Sequence, residues 1–590
     1  MQPTPSFLTD RQVSYSEDFA RISGLKRRKW TLEEGAELAG QLTQLLRTAN
    51  GTMSLLPVQA IALREFWLVG GLFGSMGVGS GKTLLSALLG TVGQASRPVL
   101  MEPAKLLDGK TEKELGQLAL HWHFQAPTLL SYESLGVVSG KATLEQLSPD
   151  LLILDEAHKL RNPHAARTRR VSRYLKAHPE CRVCVLSGSM IKRSIKDYAH
   201  LLKWALRGLS PLPLSREILD DWDFALSEKI DMCNRIHPGV LLEWCEPGEI
   251  EEHGLINAAR RAYSRRLDQT PGVVCHHVAA EDVGADIVIR EIRPEIGAAT
   301  EDAFQTLRDK WELPNGQELV EGCEIYRHAR EMALEFYYVW KTPAPREWLD
   351  ARKDWGSFVR AELKLSRTFD SPDEVARAFP TQPELLRWRA IRDSYEPETR
   401  IEWLGMGVLN LCAQWLKEHS GVAFVEHTQF GQQLAALAGV PYFGAGGRDA
   451  ITGLGIDNYH GRSAVLSIAS NSEGRNLQDR WSKMLVVSPP PNGPAWEQMI
   501  GRLHRPGQEA NLVEIWVLVS ALEQATAFWQ AHADADLAEN ANKEEPKLSL
   551  ADVQVTPLEQ LPWGARWERR IAKKVLAPTT GTGIFNLSGR

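Results

Sequence analysis

The sequence predicts an α/β protein made of two parallel-sheet lobes with a helical insertion between them. From about residue 50 to 205, and again from about 401 to 530, short apolar or β-branched runs alternate with helix-patterned segments, the mark of parallel strands joined by crossover helices. Between those stretches the pattern changes to helical spacing with many tryptophans. At 590 residues the chain is too long for one hydrophobic core, so several domains are expected.

In chain order, residues 1–50 are polar and mixed, and read as an accessory segment. Residues 51–205 form the first lobe, with GLFGSM, LLIL and CRVCVLSG as candidate strands. Residues 206–400 form the helical insertion, in which Ile325, Ala329, Met332, Ala333, Phe336, Tyr337 and Trp340 recur at helical spacing and predict a helix from Cys323 to Trp340. The tryptophans at 311, 340, 348, 355, 388 and 403 admit two readings: a helical core with an amphipathic rim, or a surface on which single-strand bases stack. Residues 401–530 form the second lobe, with strands in VAFVEHT, AVLSIAS and KMLVVSP. Residues 531–590, rich in Ala, Glu, Lys and Pro before turning basic, read as a polar, partly disordered tail.

Composition narrows the class. With 43% hydrophobic and 24% charged residues the chain reads as an ordinary globular protein. No apolar run is long enough to span a bilayer, and the opening MQPTPSFLTDRQ lacks the basic-then-apolar order of a secretory signal, so a cytosolic or nucleoid location and no membrane partner are expected. The seven cysteines are scattered, as reduced thiols would be. Cys181 and Cys184 make the one CxxC, but they lie in a candidate strand and no second CxxC completes a zinc site, so buried thiols are expected. A net charge of -6 excludes nucleic-acid binding through overall charge, so any such contact must be local. Basic residues crowd at Arg161, Arg167, Arg169, Arg170, Arg173 and Lys176, at Lys192, Arg193 and Lys196, and at Arg260, Arg261, Arg265 and Arg266, each cluster open to reading as a solvated face or a phosphate track, while the short run Lys26 to Lys29 reads as a solvated turn rather than a nuclear signal.

The most informative motif is GVGSGKT, from Gly77 to Thr83, placed between a candidate strand and the helix-like TLLSALLG. That context suits a phosphate-binding loop. Glycines at 77, 79 and 81 let backbone amides approach phosphates, Ser80 sits among them, and the helix start adds a favourable dipole. Lys82 would neutralise the β and γ phosphates, and Thr83 would ligate magnesium through its hydroxyl. The first glycine of GxxxxGKT is replaced by Met76. The second motif, LLILDEAHKLRN, runs an apolar strand into Asp155 and Glu156. A carboxylate pair at a strand end suits metal-assisted phosphoryl transfer: Asp155 would hold the magnesium, and Glu156 would orient and deprotonate the attacking water.

The ordered set LLPVQ, GSGKT, SYESL, LILDEAHKLRN, LSGS, SEGRNLQ and WEQMIGRLHRPGQ resembles the superfamily-two helicases, and within them the Swi/Snf-type remodeller ATPases, most like their compact phage and bacterial members. The resemblance spans residues 50–205 and 401–520, and HRPGQ after a Gly-Arg pair is its most family-specific element. It implies two RecA-like lobes, ATP and magnesium as cofactors, and DNA, in duplex form, as the partner. It also implies that Gln59 reads the adenine edge and that His158 reports nucleotide state to Ser187 and Ser189. Glu473, Gly474 and Gln478 would couple DNA to ATP, while Gln498, Arg502 and Arg505 would form the last motif, its arginines reaching the γ-phosphate across the lobe interface. The pattern departs from the family where Met190 replaces a proline and where Ser187 and Ser189 replace threonines. Three readings of function stay open: a motor that tracks along duplex DNA, a strand-separating helicase, and a nucleotide-gated clamp without turnover. The joint presence of Lys82, Glu156, Arg502 and Arg505 speaks against the clamp.

Overall fold

The computed structural model describes residues 11–77, 80–107, 109–188, 194–227, 235–276, 283–317, 319, 322–365, 369, 372–396, 398–471, 476–542 and 545–561. Its short apolar runs form two parallel sheets. The first contains β1 (Leu72–Met76), β2 (Pro98–Glu102), β3 (Thr128–Ser131), β4 (Leu151–Leu154), β5 (Arg182–Ser187) and β6 (Val273–His276), in the order β3-β2-β4-β5-β1-β6. Side chains alternate across the strands, so Val183 and Val185 join the core on one face with Phe73 and Leu152, while Cys184 and Leu186 join the other with Leu72 and Ile153. A sheet buried on both faces has no polar-out positions, which is why these strands read as continuous apolar runs.

In chain order, β7 (Asp286–Ile292) comes next, then an antiparallel pair, β8 (Phe336–Trp340) and β9 (Thr399–Trp403). The strands β10 (Gly421–Val425), β11 (Tyr442–Phe443), β12 (Ser463–Ser467), β13 (Lys483–Val486), β14 (Leu512–Leu518) and β15 (Asp552–Gln554) follow. The second parallel sheet runs β11-β12-β10-β13-β14-β7-β15. Val422 and Phe424 pack on one face with Leu466 and Val486, and Ala423 and Val425 pack on the other with Val465 and Leu485. The architecture is the expected α/β one, two RecA-like parallel-sheet lobes with helical material between them.

The structure differs from the sequence reading in three places. First, β6 and β7 both fall within residues 206–400, expected as a purely helical insertion, so that material divides in two. One helical group, including Arg216–Leu226 and Leu255–Asp268, lies between β5 and β6; a second, from Ala298–Lys310 to Pro383–Ile391, follows β7. The two strands, 4 and 7 residues long, are short β-branched runs set among long helical patterns, which hid them. Second, the helix expected to run to Trp340 ends at Met332, and Phe336–Trp340 is β8, paired with β9. Glu335, at φ +60°, breaks the helix, and the aromatic and β-branched FYYVW suits a strand. Third, the start of the expected tail is ordered: the helix Leu522–Asn542 and the edge strand β15 both pack onto the protein. In that helix Ala525, Phe528, Ala531 and Ala535 enter the second lobe's core, and Leu537, Ala538 and Ala541 enter the first lobe's core beside Ala259 and Tyr263. Small alanines at helical spacing allow that close approach and favour the helix. Residues 562–590 of the expected tail lie outside the described residues.

The accessory segment is docked as well. Ser16 caps the helix Glu17–Gly24, and Asp18 accepts hydrogen bonds from Arg21 and from the backbone amides of Leu214 and Ser215, tying the segment to the first lobe.

Candidate nucleotide site

In the first lobe β5 separates β1 from β4, and because all three run parallel, the loop after β1 and the carboxylates after β4 emerge at the same edge of the sheet. Crevices at that edge are where open parallel sheets bind ligands. Gly81 holds φ +72° at the cap of the helix Lys82–Val92, and a Cβ there would lie 2.2 Å from Gln59 Nε2. Lys82 Nζ donates to the carbonyls of Met76 and Gly77 at 3.0 and 3.1 Å, and the Ser80 hydroxyl donates to Gly77 O at 2.8 Å. Thr83 is half-buried at the second helical position, while Gly79 lies outside the described residues.

Gln59 is 3% exposed and faces this loop. Its Nε2 donates to Ser80 O at 3.0 Å and Gly81 O at 3.3 Å, and its Oε1 accepts from the Leu56 amide at 2.9 Å. The residue that the family resemblance assigns to the adenine edge is placed as a brace for the phosphate loop.

Asp155 and Glu156 follow β4 directly. The buried Asp155 receives a hydrogen bond from the Tyr132 hydroxyl on its backbone carbonyl (2.7 Å) and one from the Glu156 amide on Oδ1 (2.9 Å). Burial first, and then the charge of Glu156, push its carboxyl up to about 6, against the pull of Lys82. Glu156 sits in the left-handed region at φ +50°, ψ 43°, a costly backbone for a residue with a Cβ. Its side chain keeps 27% exposure, and Oε2 lies 3.1 Å from His158 Nδ1, which is also 3.1 Å from Ser187 Oγ. Burial opposes ionisation of Glu156, but the His158 hydrogen bond and the charge of Lys82 outweigh it and hold the carboxyl at about 2. Lys82 therefore acts on both carboxylates, so the loop and the strand end form one electrostatic site. Ser187 is fully buried at the end of β5, and Ser189 lies outside the described residues.

The sequence reading missed Glu102. It ends β2, is 2% exposed, accepts a hydrogen bond from Thr111 Oγ1 at 2.7 Å, and is pushed up to about 8 by burial and by the charge of Asp155. An acid closing the apolar run VLME was the available signal.

On the second lobe, Arg502, just after the helix Gly493–Ile500, is buried and its Nε donates to Gln498 O in the last turn of that helix at 2.9 Å. Arg505 donates to Asn476 Oδ1 at 2.5 Å, and burial lowers its pKa. Gln478 is half-buried; Glu473 and Gly474 lie outside the described residues. The residue after Arg505, Pro506, lines a cavity of about 650 Å³ together with Ser80 of the phosphate loop, Trp30, Pro57 and Val274. Both lobes thus wall the same space, and Lys105 Nζ donating to Ala469 O at 2.6 Å is a further contact between them.

Several basic residues have structural partners. Arg170 bonds the carbonyls of Leu135 and Val137 and the carboxylate of Glu374, in the second helical group, and Arg169 bonds the carbonyls of Leu363 and Phe369. Arg260 bonds Leu226 O, Arg265 pairs with Glu249, and Arg266 bonds the carbonyls of Ile22, Ser23 and Leu25. Trp348 is 4% exposed and packs edge-on against Trp388, ring centroids 5.2 Å apart, as in a core. Cys181 and Cys184 are free, buried thiols, and among the described residues no group of three or more His, Cys, Asp or Glu is placed to hold a metal ion.

No family model matches this sequence, and no curated protein matches it. Among solved structures, the chain is similar to the Sulfolobus solfataricus SWI2/SNF2 ATPase core in complex with dsDNA, at 13% identity and a TM-score of 0.29, covering 80% of this chain and 90% of that one.

Proposed function

We propose that the chain is an ATP-hydrolysing motor whose two lobes clamp one nucleotide and convert its hydrolysis into movement along duplex DNA. The observation that carries the reading is the convergence of Lys82, Asp155 and Glu156 into one electrostatic site, beside a cavity lined by Ser80 from one lobe and Pro506 from the other. The amides of the Gly77–Thr83 loop and Lys82 bind the phosphates. Glu156, held ionised by His158 and Lys82, orients the attacking water and takes its proton. Arg502 and Arg505 stabilise the charge that spreads over the transferred group.

Magnesium fits the donors present: the Asp155 carboxylate and the Thr83 hydroxyl are hard oxygen ligands, and a buried carboxylate with raised proton affinity is one that a cation neutralises. With no dedicated cluster of protein ligands among the described residues, the ion would complete its shell with phosphate oxygens and water. Bound there, it would neutralise charge on the β and γ phosphates.

The duplex assignment rests on the remodeller-type motif order; of the insertion tryptophans, Trp348 is buried edge-on against Trp388, whereas Trp311 keeps 36% exposure. Among the described residues no helix is long and apolar enough to cross a membrane. A motor on duplex DNA belongs in the cytosol or nucleoid. The test is the rate of ATP hydrolysis with no nucleic acid, single-stranded DNA, duplex DNA and RNA. Duplex DNA should stimulate at least as well as single strands, rise with length, and lose affinity steeply with salt, by a log-log slope of about 0.9 per phosphate contact. Stimulation by single strands alone, with efficient fork unwinding, would favour a strand-separating helicase instead.

A further inference from the structure

We infer that Tyr132 is a positioning residue for hydrolysis: its hydroxyl fixes the Asp155–Glu156 peptide and so aims the Glu156 carboxylate, and the Arg170–Glu374 pair ties the segment that carries Tyr132 to the second helical group. The inference rests on the reading that Glu156 acts on the attacking water.

Tyr132 directly follows the edge strand β3 and Asp155 directly follows β4, with β2 between them. Their amides continue the two pairings, Tyr132 N donating to Glu102 O at 3.0 Å and Asp155 N to Met101 O at 2.9 Å. Two strand spacings, about 10 Å, separate the two backbones, a gap that a tyrosine spans and that a serine or threonine hydroxyl does not. The Tyr132 side chain is fully buried, and its hydroxyl donates to the Asp155 carbonyl at 2.7 Å.

That carbonyl belongs to the peptide joining Asp155 to Glu156. The amide of the same peptide donates to Asp155 Oδ1 at 2.9 Å, so its plane is pinned on both edges. The orientation of that plane sets φ of Glu156, which stands at +50°, a region that a residue with a Cβ leaves when it can. Without the phenol hydroxyl the buried carbonyl loses its donor and the peptide is free to turn, which carries the Glu156 carboxylate away from its place beside His158. The segment after Tyr132 is gripped in turn. Arg170 Nη1 donates to the carbonyls of Leu135 and Val137, and its Nη2 donates to Glu374 at 2.7 Å, with side-chain exposures of 2% and 6% across that pair. Glu374 belongs to the helical group that follows β7, a strand of the second lobe's sheet. A continuous set of contacts therefore leads from the second lobe's insertion through Arg170 and the Tyr132–Val137 segment to the peptide that aims Glu156.

The test is steady-state ATP hydrolysis by the full chain, together with a titration of its ATP sites. Tyr132→Phe removes one oxygen and keeps the buried ring; it should lower kcat about tenfold, with KM for ATP within about twofold and the number of ATP sites per chain unchanged. Glu374→Gln keeps an acceptor for Arg170 and removes the charge; it should lower kcat about threefold, and the double variant should fall no further than Tyr132→Phe alone, because both changes act through one peptide. A purely structural role for Tyr132 would remove ATP sites in proportion to the lost rate, and that result overturns the inference. Wild-type kcat in Tyr132→Phe, beside an inactive Glu156→Gln, also overturns it and leaves the motor reading in place. Losses that multiply in the double variant overturn the link from Glu374 to Tyr132. If Tyr132→Phe does not fold, Glu374→Gln decides alone: a lower kcat at unchanged KM supports the inference, and wild-type kcat overturns it. A wild-type chain that hydrolyses no ATP removes the motor reading beneath it.

Discussion

Replacing Gly81 with alanine tests the phosphate loop through a single atom. The added Cβ would meet Gln59 Nε2 at 2.2 Å, so the glutamine must move away from the carbonyls of Ser80 and Gly81. Two costs follow. Holding a residue with a Cβ at φ +72° costs about 1–2 kcal/mol, and losing the two buried hydrogen bonds costs about 1 kcal/mol each. In the Gln59→Ala background the obstacle is gone and the bonds are already lost, so the same substitution should cost only the backbone strain of about 1–2 kcal/mol. The two changes are therefore coupled by about 2 kcal/mol in a double-mutant cycle, the worth of the two hydrogen bonds. Equilibrium unfolding of the wild type, both single variants and the double variant measures this, with ATP affinity as a parallel readout. If Gly81→Ala costs the same in both backgrounds, Gln59 does not brace the loop, and the geometry described here is wrong.

Two further substitutions separate binding from chemistry and test the buried acid. Lys82→Ala should weaken nucleotide binding and abolish turnover, whereas Glu156→Gln should retain ATP without hydrolysing it; near-normal hydrolysis by Glu156→Gln, measured by phosphate release, would remove Glu156 from the role of base. Glu102, raised from an ordinary 4.5 to about 8, binds a proton in the folded chain at pH values where the unfolded chain has lost it, so folding is progressively disfavoured as pH rises through that window. Glu102→Gln cannot ionise, and in metal-free buffer its melting temperature should gain on the wild type between pH 5 and pH 8, then level off (window from the raised carboxyl); a gap that narrows with rising pH would contradict the buried placement.

Much of the fold and the candidate site was legible because it depends on local pattern. The loop from Gly77 to Thr83 and the Asp155–Glu156 pair sit at strand ends, where apolar runs stop and chemistry begins; β13 falls within the run that predicted it, and β10 and β12 each start one residue ahead of theirs. What was hidden depends on long-range pairing. Phe336–Trp340 carries an apolar pattern compatible with a helix, and only its pairing with Thr399–Trp403 makes it a strand. The cavity wall at Trp30 needs residues 28, 30, 65 and 272 to meet at one carboxylate, an arrangement without a sequence signature. The basic residues after the DEAH motif read as an open choice, and their partners, such as Glu374 for Arg170, come from the other side of the chain.

The central claim is that a nucleotide bound by the first lobe is hydrolysed only with the help of the second, and Arg505 tests it most directly. It lies next to Pro506, which lines the cavity that Ser80 also lines, but it belongs to the second lobe. The measurement is kcat together with ATP affinity for Arg505→Ala in saturating duplex DNA. The two-lobe account predicts a fall in kcat on the order of 10³ or more with affinity changed only a few-fold, because the guanidinium acts mainly in the transition state. Wild-type turnover in that variant would mean that the first lobe works alone, and would contradict the account.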